Sequence, residues 1–434
     1  ALSSNSSTIW LDTRSEFANL FSSVRENYLA EVADYQGLID SAAAAGKYAE
    51  AGGLKRALNS ITSKDLIGFL SSRNLIPKYG FPVDTVPLVP RKGVSAEVEK
   101  VDLDRDLSIA IFEYAPGNTV IAAGVVWESV GLQKPFGTKD TEKGFIRISY
   151  AVCADCNEYQ EKTYVKDDTF SHCTNCRSTS LKTRNYVKPL WGFVAKGGSE
   201  RPSESARSNG AWSRGLHLRD AGTATVVSGR KTPPGVEAEL RNLATIVLIN
   251  SGPSSAGYHW CTWCDFAAPS VTDRKPGEHE RPYSGEKKCS NTFRENVSLG
   301  HSFQTDIVEV VIDLAGSSFV AQDEVLGIAH ALLEGAAQGL QIVHDDIDVV
   351  LLPSPGKKIR LALVDAVPAG AGYAKLIAQN MDTVFESAFE RLDRCECGPE
   401  TSCYKCLRSY RNQRHHDDLL RGATLEVLKH ILKK

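Results

Sequence analysis

The sequence predicts a multidomain protein of mixed α+β and α/β class. It is expected to have an N-terminal helical region, a β-rich middle with a zinc ribbon, and a C-terminal α/β domain with a four-cysteine zinc knuckle. Three observations predict this class. The chain has 434 residues, more than one ordinary hydrophobic core accommodates. Apolar residues change from helical spacing to strand-like runs near Pro77, and to alternating strands and helices beyond Ser298. Finally, eleven cysteines fall into three clusters.

The N-terminal region, 1–76, is predicted to be helical. Apolar residues between 15 and 35 recur at spacings of three, four and seven, and shorter helical patterns cover 54–60 and 63–70. Proline and glycine then crowd the stretch PKYGFPVDTVPLVPRKG, which predicts a domain boundary. After it the runs LSIAIFEY, NTVIAAGVVWES and GFIRISYAVC are predicted to be strands of a β-rich region, 77–150.

The last region, 301–434, is predicted to be α/β. SFQTDIVEVVIDL, IDVVLLP and KIRLALVDAV are interpreted as strands, and DEVLGIAHALLEGAAQGL as a helix ending near Gly339. AGYAKLIAQNMDTVFESAFERLDR is interpreted as one long helix. The intervening region, 151–300, is expected to hold a zinc ribbon and a second cysteine-rich insert on a β scaffold.

Charge and hydropathy exclude several classes of protein. The net charge is −3, so a nucleic-acid surface must be a local patch rather than the whole surface. The chain contains no run of 18 apolar residues and no visible export signal, which predicts a cytoplasmic protein with reduced cysteines and no membrane partner. Because it begins with Ala1 and holds one methionine, Met381, we expect it to be a portion of something longer.

The first cluster has the spacing of a zinc ribbon. Two C-x2-C pairs are separated by sixteen residues and supply Cys153, Cys156, Cys173 and Cys176. Two thiolates two residues apart can bind one tetrahedral ion, so four of them are expected to hold one structural Zn²⁺. The alternative interpretation is a pair of redox dithiols.

The second cluster contains only three cysteines, namely Cys261, Cys264 and Cys289. A fourth zinc ligand must come from elsewhere, and the candidates are His259, His279 and His301. His259 is too close to Cys261, and His279 lies in the loop closed by Cys289, so we select His279. The alternative is three reduced thiols without metal.

The third cluster packs four cysteines into twelve residues. Cys395, Cys397, Cys403 and Cys406 occur in RCECGPETSCYKC, where a Gly-Pro pair turns the chain. This spacing predicts a compact zinc knuckle. Two structural zinc ions are therefore expected, with a third at the second cluster.

The C-terminal stretch resembles the MrfA-type zinc-binding domain. The matching segments are LGHSFQTDIVEV, DAVPAGAGYAKLI and CECGPETSCYKCLRSYRNQRHHDDLLR, and FLSSRNLIPKYGFPVDTVPL and FEYAPGNTVIAAGVVWESVGL also look similar. Such domains occur at the end of some superfamily 2 helicases and in the DrmB subunit of the DISARM antiphage system. The resemblance implies zinc at the third cluster and a role in DNA repair or antiphage defence beside a helicase motor.

Two stretches combine cations with aromatic rings. The stretch from Arg177 to Asp220 contains nine Lys/Arg residues and only three Asp/Glu. Cations beside flat aromatic rings are typical of a surface that binds a single or unwound DNA strand. The predicted DNA contacts in this stretch are Lys182, Arg184, Lys188, Trp191 and Trp212. The alternative is a solvated surface with the rings in the core.

A second basic set follows the third cluster. Arg408, Arg411 and Arg414 are expected to share one face of a helix after Cys406 and to follow a DNA backbone. The alternative is salt bridges to Asp417 and Asp418.

The chain lacks a GxxxxGK[ST] motif and a DEAH-like box, so no ATPase activity and no catalytic residue are predicted. The leading hypothesis is a zinc-stabilised DNA-binding accessory subunit that acts with a superfamily 2 helicase in bacterial antiphage defence. The alternatives are a C-terminal fragment of a single-chain repair helicase, a nuclease, and a protein–protein scaffold.

Overall fold

The structure is a computed structural model. It describes residues 84–90, 103–122, 124–134, 145–198, 214–227, 231–270, 277–291, 295–315, 317–318, 321–354, 358–368 and 370–434, together with single positions between 18 and 62. Most of the predicted N-terminal helices and the start of the proline-rich connector lie outside the described residues. The positions that are described there, such as Phe21 and Leu58, are helical.

Eighteen strands and five α-helices are described from Thr85 onward. The strands are β1 (Thr85–Pro90), β2 (Asp104–Asp106), β3 (Thr119–Ala122), β4 (Val125–Leu132), β5 (Ile146–Val152), β6 (Tyr159–Thr163), β7 (Arg184–Lys188), β8 (Phe193–Gly198), β9 (Arg214–Asp220), β10 (Thr223–Thr225), β11 (Val236–Asn250), β12 (Tyr258–Trp260), β13 (Ala267–Pro269), β14 (His279–Arg281), β15 (Ser284–Cys289), β16 (Glu295–Asp313), β17 (Ile347–Leu351) and β18 (Lys358–Asp365). The helices are α1 (Leu107–Glu113), α2 (Ala321–Gly339), α3 (Tyr373–Gln379), α4 (Met381–Asp393) and α5 (Arg421–Leu432). This β-rich architecture confirms the predicted class in outline.

Two sheets and one separate hairpin organise the chain. The smaller sheet has the order β2-β1-β8-β4-β3, and α1 packs beside it through Leu107 and Ile111, which are fully buried. The larger sheet is built on the antiparallel pair β11 and β16, with β9, β10, β7, β12 and β18 added along its length. The hairpin is β14–β15.

The C-terminal core lies between the larger sheet and the helices. Alternate residues of β11, β16 and β18 meet the apolar faces of α2, α4 and α5. Phe385 of α4 and Leu332 of α2 are fully buried there. Each fully buried side chain of this size contributes about 1.5–3 kcal/mol through the hydrophobic effect. The predicted strands and the helix ending at Gly339 are confirmed, and β16 runs across the proposed boundary at 300.

Two element predictions are wrong. LSIAIFEY forms α1 rather than a strand, because Asp106 caps it by accepting a hydrogen bond of 2.9 Å from the Ser108 amide. The predicted long helix is two helices separated at Asn380, whose φ of −127° is not helical. The Asn380 side chain donates to the Leu376 carbonyl at 2.8 Å, and such a bond competes with helix continuation.

No helix among the described residues is both long and apolar enough to cross a membrane.

Candidate metal centres and cleft

The first cluster converges on one point. Its four sulfur atoms all lie within 4.8 Å of one another. The Sγ atoms of Cys153 and Cys176 are 3.6 Å apart, and those of Cys156 and Cys173 are also 3.6 Å apart. Four sulfurs at about 2.3 Å from a tetrahedral zinc ion lie roughly 3.8 Å from one another. The described geometry therefore fits a four-cysteine zinc site.

The same turn follows the first three cysteine pairs of the chain. Asn157, Arg177 and Asp265 each come directly after the second cysteine of a pair, and each has a positive φ, of 61°, 64° and 64°. The amide of each one donates to the carbonyl of the first cysteine of its pair, at 2.9–3.1 Å. This turn points both thiols to the same side of the chain.

The second centre has four buried ligand groups. Cys261, Cys264, His279 and Cys289 have ligand atoms within 4.8 Å of one another. The β14–β15 hairpin places His279 directly opposite Cys289, and His279 Nε2 lies 3.1 Å from Cys264 Sγ. His279 Nδ1 lies 3.2 Å from the Gly277 carbonyl oxygen, and such a bond orients a metal-binding imidazole. The structure thus brings the selected histidine to the three cysteines.

The other two candidate histidines take different positions. His259 Nε2 bonds the Ser270 hydroxyl at 3.0 Å, and His301 stacks on Phe303. Neither is in the group of converging ligands.

The third centre is a compact knuckle against the C-terminal core. The Sγ distances among Cys395, Cys397, Cys403 and Cys406 are 3.5–3.8 Å where they are in contact, which again fits one zinc ion. Backbone N–H groups support the thiolates, since the Cys403 amide donates to Cys406 Sγ at 3.1 Å. Leu407, the next residue, is fully buried in the core.

A cleft of about 460 Å³ opens between the zinc ribbon, β9 and the C-terminal domain. The two basic sets predicted from separate stretches of sequence meet in it. Lys182 and Arg184 line one side, while Arg411 and Arg414 line the other. Arg214 on β9 adds a fifth cation between them. Sequence reasoning had not selected Arg214 as a contact, although it lies in the basic stretch.

One carboxylate, that of Asp348 on β17, lies in the described lining of the cleft. Arg214 Nη2 is 2.7 Å from Asp348 Oδ2, and Arg411 Nη1 is 4.0 Å from the same oxygen. Arg411 Nη2 also pairs with Asp345 Oδ1 at 3.1 Å. Asp348 thus aligns two arginines that come from opposite walls, and the lining keeps a formal excess of positive charge.

Three histidines, His217, His330 and His415, also line the cleft, and sequence reasoning selected none of them as a contact. Burial lowers the pKa of His217, His330 and His415 to about 4. The rings are therefore neutral near pH 7. His330 lies in the apolar stretch GIAHALLEG, so no sequence signal separated it from a core residue.

Several predicted contacts lie elsewhere. Lys188 donates to the Ser302 hydroxyl at 2.8 Å, and Trp191 is half-buried in the turn before β8. Neither lines the cleft. Trp212 lies outside the described residues. Arg408 donates to Ser402 Oγ at 3.1 Å and braces the knuckle instead of facing the cleft.

The predicted helix after Cys406 is also wrong. The segment consists of turns and one short 3-10 helix, Gln413–His415. The Asn412 side chain donates to the Leu407 carbonyl at 2.8 Å and accepts from the Ser409 amide at 2.8 Å, which closes a loop. The alternative interpretation, salt bridges from these arginines to Asp417 and Asp418, is not seen among the described residues. Arg411 pairs with the Asp345 side chain instead, and His415 lies 3.8 Å from Asp418.

The third centre lies in a stretch that resembles a known zinc-binding domain. A family model described as the MrfA Zn-binding domain matches residues 328–407. This stretch is therefore similar to the MrfA Zn-binding domain. It includes α4, β17, β18 and all four cysteines of the third centre, whereas the first two centres precede it.

The chain is 26% identical over 435 residues to the Druantia protein DruE of Escherichia coli (strain UMEA 4076-1). That alignment covers 88% of this chain and 22% of DruE, so the chain spans about a fifth of the length of its relative. The crystal structure of the DUF1998 helicase MrfA bound to DNA aligns at 11% identity and a TM-score of 0.36, covering 80% of this chain and 33% of that one. A second crystal structure of the DUF1998 helicase MrfA aligns at 10% identity and a TM-score of 0.36, covering 87% of this chain and 40% of that one.

Proposed function

We propose that this chain is a zinc-stabilised nucleic-acid-binding part of a bacterial antiphage system, acting in the cytoplasm beside a superfamily 2 helicase motor. The observation that carries the proposal is the convergence of Lys182, Arg184, Arg214, Arg411 and Arg414 on one cleft. Cations from distant parts of a chain with a net charge of −3 are thereby concentrated where a polyanion can bind.

Zinc has a structural role in this proposal. The first centre anchors the ribbon whose end leads to Lys182 and Arg184, and the third centre precedes the loop that carries Arg411 and Arg414. Three ions per chain are proposed, each in a closed four-ligand site. Closed sites leave no coordination position for a substrate, so these ions position the walls of the cleft.

The proposed defence role rests on the similarity to the Druantia protein DruE and on the resemblance to antiphage proteins noted in the sequence. This relative favours Druantia as the system, and assignment to DISARM or to DNA repair stays a prediction. The motor is proposed to lie outside the 434 residues, because they contain no Walker A motif. It can be a separate subunit, as in the leading sequence hypothesis, or part of the same polypeptide.

Binding to single-stranded and duplex DNA at several salt concentrations tests the proposal. The variant Arg184→Ala/Arg414→Ala removes one cation from each wall. We expect weaker binding and a log–log salt slope for single strands that is lower by about 0.7 for each phosphate that the variant no longer neutralises. Arg105→Ala is the matched control, because Arg105 is an exposed cation on β2, is not in the cleft lining, and pairs with Glu113 at 3.2 Å.

Equal affinities and salt slopes for parent and double variant would contradict the proposal and favour a protein–protein scaffold. Hydrolysis of ATP or magnesium-dependent cleavage of DNA by the purified chain, abolished by one substitution within it, would support an enzyme instead.

A further inference from the structure

We infer that the cleft takes one unpaired nucleotide of a bound strand, with its base on an apolar floor and its phosphate between Arg214 and Arg411. This inference rests on the proposed function and deepens it. Cations along a groove bind the phosphates of any nucleic-acid strand. A concave apolar site between two arginines is more selective, because it accepts one flat nucleobase together with its phosphate.

The floor of the cleft is apolar. Leu216 of β9, Leu326 and Leu333 of α2, and Val349 and Leu351 of β17 line it. Backbone phosphates gain nothing from such a surface, but a nucleobase removes apolar area from water there. The volume of about 460 Å³ is within the range of roughly 300–1,000 Å³ that is typical of small-molecule sites. It suits one nucleotide rather than a stretch of duplex.

Two arginines that line this cleft each have one buried side-chain N–H group without an acceptor among the described residues. Arg214 Nε and Arg411 Nη1 are buried and have no hydrogen-bond partner among the described residues. A buried donor without a partner is unfavourable, because it has lost its hydrogen bonds to water. Both arginines contact the same Asp348 oxygen, at 2.7 and 4.0 Å, so their guanidinium groups lie close together. A phosphate is the acceptor that matches such planar donors.

The remaining cations provide the path to this site. Arg184 and Lys182 lie on the ribbon wall, and Arg414 lies on the opposite wall and is exposed. Arg184 is held in place because its Nη1 donates to the Ser255 carbonyl at 3.1 Å. Phosphates on either side of the bound nucleotide can therefore contact these cations while its base occupies the floor.

The experiment uses a short single-stranded oligonucleotide that contains one 2-aminopurine. We expect its fluorescence to rise on binding to the full chain, because the base leaves the stack of its neighbours. Leu326→Trp fills the floor without changing charge. It should abolish the fluorescence rise and weaken binding roughly tenfold, as removal of a base-stacking site does, with an unchanged salt slope.

Arg214→Gln tests the phosphate contact. It should weaken binding and lower the salt slope, whereas Arg105→Gln, outside the cleft lining, should do neither. Zinc content and thermal unfolding are measured for each variant. If Leu326→Trp does not fold, Arg214→Gln and the 2-aminopurine signal of the parent decide the outcome.

The results separate the two proposals. If Arg184→Ala/Arg414→Ala weakens binding while Leu326→Trp and Arg214→Gln bind like the parent, the nucleotide site is wrong and the DNA-binding cleft stands. If the parent does not bind the oligonucleotide, both fail. Free dAMP that displaces the oligonucleotide at micromolar concentration would show a site for free nucleotides and overturn the strand interpretation.

Discussion

Arg391 Nε donates a hydrogen bond of 3.0 Å to the carbonyl oxygen of Cys406. The other end of the same guanidinium pairs with Glu334, since Arg391 Nη2 lies 2.9 Å from Glu334 Oε2. Glu334 is 7% exposed and belongs to α2. One side chain of α4 therefore joins the third zinc centre to the helix that forms the floor of the cleft.

The first prediction follows from this contact. Arg391→Met should lower the free energy of unfolding by about 1–3 kcal/mol, because it removes the arginine partner of the buried Glu334 carboxylate, which among the described residues keeps only its contact with His344 at 2.9 Å. Arg394→Met is the control, since Arg394 is on the same turn but its side chain is 76% exposed and pairs with Glu390. It should cost less than about 1 kcal/mol. Urea unfolding of both variants provides the measurement, and equal destabilisation of the two would contradict the prediction.

The second prediction concerns metal. Elemental analysis of the purified chain should give three zinc ions, and His279→Ala should reduce the count to two. Cys173→Ser and Cys403→Ser should each lose one ion and reduce solubility, since structural zinc contributes directly to folding. His259→Ala is the control and should keep all three ions. Fewer than two ions in the parent would refute the assignment.

The third prediction is a loss of stability in acid. The cleft histidines have pKa values of about 4 in the folded chain, below the ordinary 6.5. Between these values the unfolded chain binds more protons, so stability falls as the pH decreases from about 6.5 to about 4. His344 acts in the opposite direction, because its hydrogen bond to Glu334 raises its pKa.

The zinc ligands also make stability depend on pH, so the contribution of one histidine is measured by comparing the parent chain with His330→Asn. His330 faces His415, Arg414, Asp348 and Glu334. The difference in unfolding free energy between pH 7 and pH 5 should be smaller in the variant than in the parent. If the two differences are equal, His330 does not contribute to the acid sensitivity.

The fourth prediction concerns the crossing of β7 and β16. A Cβ atom on Gly300 would lie 2.2 Å from Cδ2 of the buried Tyr186 ring. Gly300→Ala should therefore destabilise the fold by about 1–3 kcal/mol through overpacking, seen as a lower melting temperature. Gly277→Ala, where a Cβ meets nothing within 4 Å, should have a much smaller effect.

The zinc centres could be predicted from sequence because their ligands are mostly local. Two cysteines separated by two residues converge whenever the turn between them forms, and that turn depends on a few backbone torsions. Spacing against Cys261 and Cys289 also selected His279 over His259 and His301. The hairpin that sets His279 opposite Cys289 is the structural reason why this choice agrees with the geometry.

Local patterns could also have corrected α1. Leu107, Ala110, Ile111 and Tyr114 are all fully buried and have helical spacing, and Asp106 stands at the cap position. The β-branched and aromatic residues of the run favoured the strand interpretation instead. The break at Asn380 depends on one side chain that competes for a backbone carbonyl, which periodicity does not reveal.

The cleft could not be predicted as one site. Arg184 and Arg411 are far apart in the chain, and only the arrangement of β7, β9 and β17 brings their segments together. Sequence analysis could find each basic stretch. It could not tell which cations of the stretch would line the cleft and which would lie elsewhere. The loop closed by Asn412 turns Arg411 toward the cleft. Arg408 stays at the knuckle, because its side chain donates a hydrogen bond to Ser402.

The pair β11 and β16 has a mechanical consequence. β16 has 19 residues and extends about 60 Å at the usual rise of a strand. The first part of β16 packs in the core beside α1, and its last part packs under α2 and α4. The antiparallel β11 contributes to the same two cores, its end to the first and its start to the second. A hinge needs a short segment that can turn freely, whereas this ladder is paired on both sides of a local bulge between Arg241 and Ala244. We therefore expect the two cores, together with the cleft beside them, to move as one rigid unit rather than about a hinge.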